Sequence, residues 1–345
     1  MVRNLKLSNR ATVLLVAVAM IFVASCSTKT SAPSEAPSKT ETVNAAFSSV
    51  AASENPLWVA KEQSLFGKYG LDVNITQITG GSSTVVQAML GGNIDIAQIG
   101  APAVVDANLQ GADFVVVADI INRLVMSMYS TQAIGSVADL KGKKLAVTRA
   151  GTITDFGGRY VLKKAGLEPE KDVGIVQSGG VPEALAALQS GNVQAAVLLS
   201  PHTLKAKDLG FKELVDLGTL DLEFQVNCLV VSKKWLAGHR GTLEKFLKAY
   251  LEGIAFAKKN KAATANILSK YTKMTDQIGL DDGYNLYVTK YLSSKPYPSA
   301  AAIQNVLDFV ATRDPKAKEL KAQDFVDQSF IKKLDESGFI DGLYK

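Results

Sequence analysis

Gly80-Gly81-Ser82-Ser83-Thr84-Val85-Val86-Gln87-Ala88-Met89-Leu90-Gly91-Gly92-Asn93-Ile94-Asp95-Ile96-Ala97 lines up without a gap on the segment from Gly179 to Ala196, 99 residues later. Carried on to Gly111 and Gly210, the alignment holds nine identities in 32 positions, among them Gly80, Gly92, Asn93, Pro102 and Gly111 with their partners. Several other positions, such as Val86 and Leu185, Met89 and Leu188, or Ile99 and Leu198, exchange one apolar residue for another. A 99-residue spacing is too wide for a solenoid and reads as two similar lobes. Two lobes make a cleft, and a cleft can hold a ligand.

Outward from the repeat, strand and helix patterns alternate in both halves. In the first, an opening strand from residue 43 precedes a helix over 56–66, with Pro56 just inside its start, and a strand over 71–75. Gly80-Gly81 then turns into a helix over 84–90, and Gly91-Gly92-Asn93 releases a strand over 94–99. Pro102 starts a further helix. The second half repeats this order from a strand over 144–148. Such alternation predicts α/β lobes with mostly parallel sheets. After Leu229 the pattern becomes helical: Leu243, Phe246, Leu247, Tyr250, Leu251 and Ile254 recur at helical spacing. Four more helices are expected over 262–271, 282–291, 300–312 and 325–337. They cannot repeat the lobe motif, so they are expected to return to the first lobe. Crossings near 127–131 and 225–229 would form a hinge.

The N-terminus reads as an export signal. Arg3, Lys6 and Arg10 precede an apolar run over 11–24, shorter than the roughly 20 residues a membrane span needs. Val23-Ala24-Ser25-Cys26 resembles a bacterial lipobox, which implies cleavage after residue 25 and lipidation of Cys26; plain cleavage with a free thiol is the alternative. Residues 26–42 carry almost no large apolar side chain and should be a disordered tether. Cys228, the other of two cysteines, sits in an apolar stretch and reads as a buried thiol, so no disulfide framework is expected. A net charge of +5 without a cluster of basic and aromatic residues gives no support to nucleic-acid binding.

Three further segments carry a resemblance. Glu54-Asn55-Pro56-Leu57-Trp58-Val59-Ala60-Lys61-Glu62 runs into Leu65-Phe66-Gly67-Lys68-Tyr69-Gly70-Leu71-Asp72-Val73; to these add residues 88–97 and Asp139-Leu140-Lys141-Gly142-Lys143-Lys144-Leu145-Ala146-Val147. Together they resemble the solute-binding proteins of nitrate/sulfonate/taurine-type ABC importers. The resemblance covers residues 43–340 and implies the type II periplasmic binding protein fold, two α/β lobes joined by a double-crossover hinge. On this reading lobe I comprises 43–128 and 229–345, and lobe II 129–228. It implies an extracytoplasmic, lipid-anchored monomer that captures a small solute and passes it to a permease and an ATPase on separate chains. No Walker A motif is present here. No cofactor, metal or catalytic residue is expected. An enzyme of the same fold, resembling the pyrimidine-precursor synthases of thiamine biosynthesis, is the rival reading. A sensor feeding a membrane kinase is another.

Ligands of open parallel sheets bind beyond the carboxyl ends of the strands, where helix N-termini favour anions. In lobe I this selects Ser49, Asn55, Ser82, Ser83 and the backbone at Ala101. Asn55 alternatively caps the helix at Pro56, and Ser82 or Ser83 their own helix. In lobe II it selects Arg149, Thr152, Thr154 and Ser200, with Gln225 and Asn227 near the second crossing. Arg149 is the charge suited to clamp an oxyanion, unless it lies on the surface beside a group such as Asp155. Arg123 is a weaker candidate, and His202 reads as a solvated first-turn histidine. If Arg149 and the turn carrying Thr152 and Thr154 form the site, an anionic solute such as a sulfonate, taurine, nitrate or carboxylate is expected; the resemblance is equally compatible with a neutral pyrimidine or riboflavin-like ring.

Overall fold

The computed structural model describes residues 40–345. The expected signal segment, Cys26 and the expected tether up to residue 39 lie outside the described residues. The tether was expected to reach residue 42, but the first strand already begins at Glu41.

Ten strands form two five-stranded sheets. In chain order they are β1 (Glu41–Phe47), β2 (Leu71–Gln77), β3 (Ile96–Ile99), β4 (Phe114–Ile121), β5 (Ser127–Ser130), β6 (Lys144–Val147), β7 (Gly174–Gln177), β8 (Ala195–Leu198), β9 (Lys212–Asp216) and β10 (Asn227–Ser232). The first sheet runs β2-β1-β3-β10-β4 and the second β7-β6-β8-β5-β9. β1 pairs in parallel with β2 and β3, and β6 does so with β7 and β8. The fourth strand of each sheet, β10 or β5, is antiparallel to both neighbours. Each sheet thus has four strands pointing one way and one strand that has crossed over.

The duplication survives in three dimensions. Helix Ser82–Leu90 has its counterpart in Val181–Gln189, and β3 in β8, each displaced by 99 positions. Gly92 and Gly191 both end their helices at positive φ, +74° and +75°, a conformation that a β-carbon disfavours. Strand β4 reads Phe-Val-Val-Val-Ala-Asp-Ile-Ile and is buried at all eight positions, as expected for a strand covered on both faces.

Two passages join the sheets, between β4 and β5 at 122–126 and between β9 and β10 at 217–226. The first lies a few residues ahead of the span expected from sequence, because Ser127–Ser130 is already a strand of the second sheet. The passages hydrogen-bond to each other: Phe224 N donates to Asn122 O at 2.8 Å and Val226 N to Ile121 O at 2.9 Å. Beyond β10, the apolar stripe from Leu243 to Ile254 lies buried along helix Lys233–Lys259. That helix packs on helix Asn55–Glu62 so closely that a β-carbon at Gly253 would meet Pro56 O at 2.8 Å. Farther on, Asp327 N donates to Val116 O of β4 at 2.9 Å, which ties the C-terminal helices to the first sheet. Residues 282–291, expected as an α-helix, contain the end of helix Gln277–Gly283 and a π-helical stretch, Tyr284–Tyr291. Among the described residues no helix is long and apolar enough to cross a membrane.

Candidate functional site

A cavity of about 530 Å³ opens beyond the carboxyl ends of the strands, where loops from both sheets meet. This is the size of a small-molecule site. Its walls come from the turn after β1, the start of helix Ser82–Leu90, the turn after β3, the turn after β6, and Leu199 after β8. Gly100 and Leu199 are repeat partners 99 positions apart, so the same turn of each half faces one space. A recess of about 760 Å³ flanks helices Ser82–Leu90 and Ala101–Leu109, but no residue of the second half lines it.

The floor is built around Glu54. Ser49 Oγ and Asn227 Nδ2 donate to its Oε1 at 3.1 and 2.9 Å, while the buried Oε2 has no partner. Glu54 is 1% exposed, and burial pushes its carboxyl up to about 8 against the hydrogen bonds it accepts. The turn holding it is itself anchored: Gln98 Nε2 donates to Ser53 O at 3.0 Å, and Tyr250 Oη donates to Gln98 Oε1 at 2.8 Å. Behind it, Gln225 Nε2 donates to Asp119 Oδ1 at 2.7 Å and Asn227 O at 2.8 Å, and burial raises Asp119 to about 7. Cys228 is a buried free thiol whose Sγ donates to Ile99 O.

Five residues selected from sequence line the cavity: Ser49, Ser82, Ser83, Thr152 and Asn227. Ser82 does not cap its own helix. Its hydroxyl meets Ser48 Oγ at 3.2 Å and accepts from Gly100 N at 3.1 Å, tying three wall loops together. The other six are placed elsewhere. Asn55 is fully buried, with Nδ2 donating to Ala52 O at 2.8 Å, so it closes the preceding turn. Ala101 is buried; its amide donates to Gln225 O at 3.3 Å, and the wall is formed by Gly100, Pro102 and Ala103 around it. Gln225 is wholly buried behind the floor. Thr154 is 2% exposed and its hydroxyl accepts from Thr148 N at 3.0 Å. It also meets the Thr148 and Thr152 hydroxyls at 2.8 and 2.9 Å. Ser200 Oγ donates to Asp282 Oδ2, across to the π-helical segment's neighbourhood.

Arg149 is exposed, off the cavity wall, and in none of the ion pairs among the described residues. The partner suggested for it, Asp155, accepts instead from Arg159 Nε at 2.6 Å. Asp155 also takes the Gly151 amide at 3.0 Å, so a carboxylate of the protein already occupies this helix N-terminus. Arg149→Ala is accordingly expected to leave unfolding free energy within about 0.5 kcal/mol and the heat of titration with methanesulfonate unchanged; urea melts and calorimetry check both. Arg123 bridges the passages, its Nη1 3.5 Å from Leu220 O. His202 is half-buried and off the wall, its imidazole pKa lowered by desolvation.

Sequence reasoning missed Glu54, Tyr287 and the pair Asp106–Arg313 on the wall. Arg313 Nη2 donates to both oxygens of Asp106, at 2.8 and 2.7 Å. Glu54 stands inside the segment that carried the family resemblance, but an acidic residue at a helix start is ordinary, so nothing local marked it as buried.

The chain is similar to known proteins in a consistent way. It is 26% identical over 203 residues to YtlA of Bacillus subtilis, named as a binding protein; the match spans 56% of this chain and 59% of that one. It is 31% identical over 140 residues to a Brachyspira hyodysenteriae protein named as an ABC transporter periplasmic binding protein, spanning 40% of this chain and 39% of the other. The chain therefore matches less than two thirds of the length of these curated relatives. Among solved structures, the periplasmic aliphatic sulphonate binding protein SsuA of Escherichia coli superposes with a TM-score of 0.71 at 20% identity, over 84% of this chain and 92% of that one. Two mixed α/β sheets joined by paired passages are thus the periplasmic binding protein fold. The family model described as NMT1/THI5 like matches residues 52–263, more than half of the sequence, and the chain belongs to the NMT1/THI5-like family.

Proposed function

We propose that this protein captures a small solute outside the cytoplasm and delivers it to the permease of an ABC importer. The permease and ATPase are separate chains, and a lipid on Cys26 holds this one at the membrane. The observation that carries the reading is the shared cavity: Gly100 and Leu199, equivalent turns of the two halves, both line it. A solute held there touches both lobes only when they approach, so it shifts the population towards a closed form. The paired passages at 122–126 and 217–226 are the natural hinge. The names of the curated relatives, a binding protein and an ABC transporter periplasmic binding protein, agree with this use of the fold.

The test is direct. X-ray scattering of the full chain should show a smaller radius of gyration when a solute that binds by calorimetry is added. Micromolar affinity corresponds to about 8 kcal/mol, within reach of a few buried hydrogen bonds and an apolar wall. A chain that keeps its dimensions with every bound solute does not work by closure.

A further inference from the structure

The buried side-chain atoms left without a partner at the floor are oxygens. Glu54 Oε2 and Asn227 Oδ1 are buried oxygens without a partner, and both residues line the cavity at 1% and 4% exposure. Gln225 Oε1 lies unpartnered behind them. Their orientation is fixed by what the other end of each side chain does. Asn227 Nδ2 must face an acceptor, Glu54 Oε1, and Gln225 Nε2 faces Asp119 Oδ1, so the oxygens are the ends left free. Buried polar atoms without partners are rare and costly, and a ligand that satisfies them gains what the empty protein lacks.

Four amides at two of the wall turns are already engaged. At the turn after β6, Gly151 N donates to Asp155 Oδ2 at 3.0 Å and Ala150 N to Gln177 Oε1 at 3.1 Å. At the turn after β3, Gly100 N donates to Ser82 Oγ and Ala101 N to Gln225 O. Arg313, the cation among the described wall residues, is held by both oxygens of Asp106. Met126, Ile153, Tyr287 and Phe309 add apolar surface to the same wall.

We infer that the cleft takes a solute with a cationic, N–H-donating head of the amine or amidine type, directed at Glu54 Oε2 and Asn227 Oδ1, on an apolar body, in preference to an oxyanion. The inference rests on the solute-capture reading above and assigns its ligand class. The two free oxygens belong to side chains already joined by the Asn227–Glu54 hydrogen bond, and a cation bound there favours the carboxylate form of Glu54, releasing the proton that burial holds on it, with no cation of the protein beside it. It runs against the anionic solute expected from Arg149 and the threonines.

Two probes share a ring and differ in head group: benzamidine and benzenesulfonate. Calorimetric titration of the full chain at pH 8.5, above the value at which burial holds the Glu54 proton, should show benzamidine binding and no heat with benzenesulfonate. Glu54→Gln replaces the free oxygen by an N–H donor while keeping an acceptor for Asn227, so it should weaken benzamidine by about tenfold or more. Thermal unfolding of the variant checks that it is folded. Benzamidine affinity unchanged in Glu54→Gln overturns the assignment, as does an absence of heat from benzamidine with the unsubstituted chain. Benzenesulfonate that binds and compacts the chain in scattering also overturns it, while leaving solute capture by closure standing.

Discussion

Glu54→Gln should make the empty protein more stable than its parent at pH 8.5, and about equally stable at pH 5. Burial holds the Glu54 carboxyl at about 8 against an ordinary 4.5, so the folded state binds the proton more tightly than the unfolded chain. Between those values the native state carries more protons, and stability falls as pH rises. Integrated from pH 5 to 8.5, a shift of this size removes up to about 4 kcal/mol. Glutamine has no proton to lose, so this loss disappears from the variant. Asp119, raised to about 7, erodes stability in the same direction over a lower window. It is common to both proteins and cancels in the difference. Cys228, Tyr250 and Tyr287 are the other titratable groups near Glu54, and all are pushed upward, so they stay neutral across this range. Urea unfolding at the two pH values measures the effect. Equal pH slopes in parent and variant would mean that Glu54 is not held in the desolvated position.

Phe224→Ala should destabilise the protein by about 3–5 kcal/mol. Phe224 is fully buried in the second passage, where its ring lies 4.7 Å from Phe156 and 5.9 Å from Phe309; those two rings are 5.0 Å apart. Phe156 belongs to helix Ile153–Lys164 beside the second sheet, and Phe309 to helix Ala300–Ala311 beside the first. Three rings from three distant segments therefore pack at the place where the lobes join. Aromatic edge and tilted contacts add to the burial of area. Truncation leaves a hole that backbone tethered on both sides cannot close. Because Phe309 also lines the cavity, the same change should weaken whichever solute the cleft holds. A loss below about 1 kcal/mol in urea unfolding would show that the junction is loosely packed.

Much of the architecture was legible locally. Helix Ser82–Leu90 and its copy Val181–Gln189 were marked by paired glycines and by apolar residues at helical spacing, features that depend only on near neighbours. The stripe from Leu243 to Ile254 announced its buried face in the same way. What period and capping could not show is that β5 and β10 each enter the sheet as its fourth, antiparallel strand. That depends on pairing with partners about 70 to 130 residues away, for example Cys228 opposite Ile99.

The site divides along the same line. Ser49, Ser82, Ser83 and Thr152 were found because turns after strands of an α/β lobe face the cleft, a rule of topology that sequence order carries, and Asn227 because it lies near the second crossing. The direction in which a side chain points, and the solvent left to it, were not carried. Arg149 and Thr154 are five residues apart, yet one reaches outward and the other closes a triangle of hydroxyls. Glu54 meets Asn227 across 173 positions, and only that meeting turns an unremarkable helix-start acid into a buried one with a free oxygen. The sequence by itself determined two copies of one lobe and the turns that would face each other. Which atoms are paired in those turns, and therefore which charge the cleft can accept, was decided by tertiary structure, because desolvation and hydrogen-bond satisfaction are set by neighbours that chain order does not name.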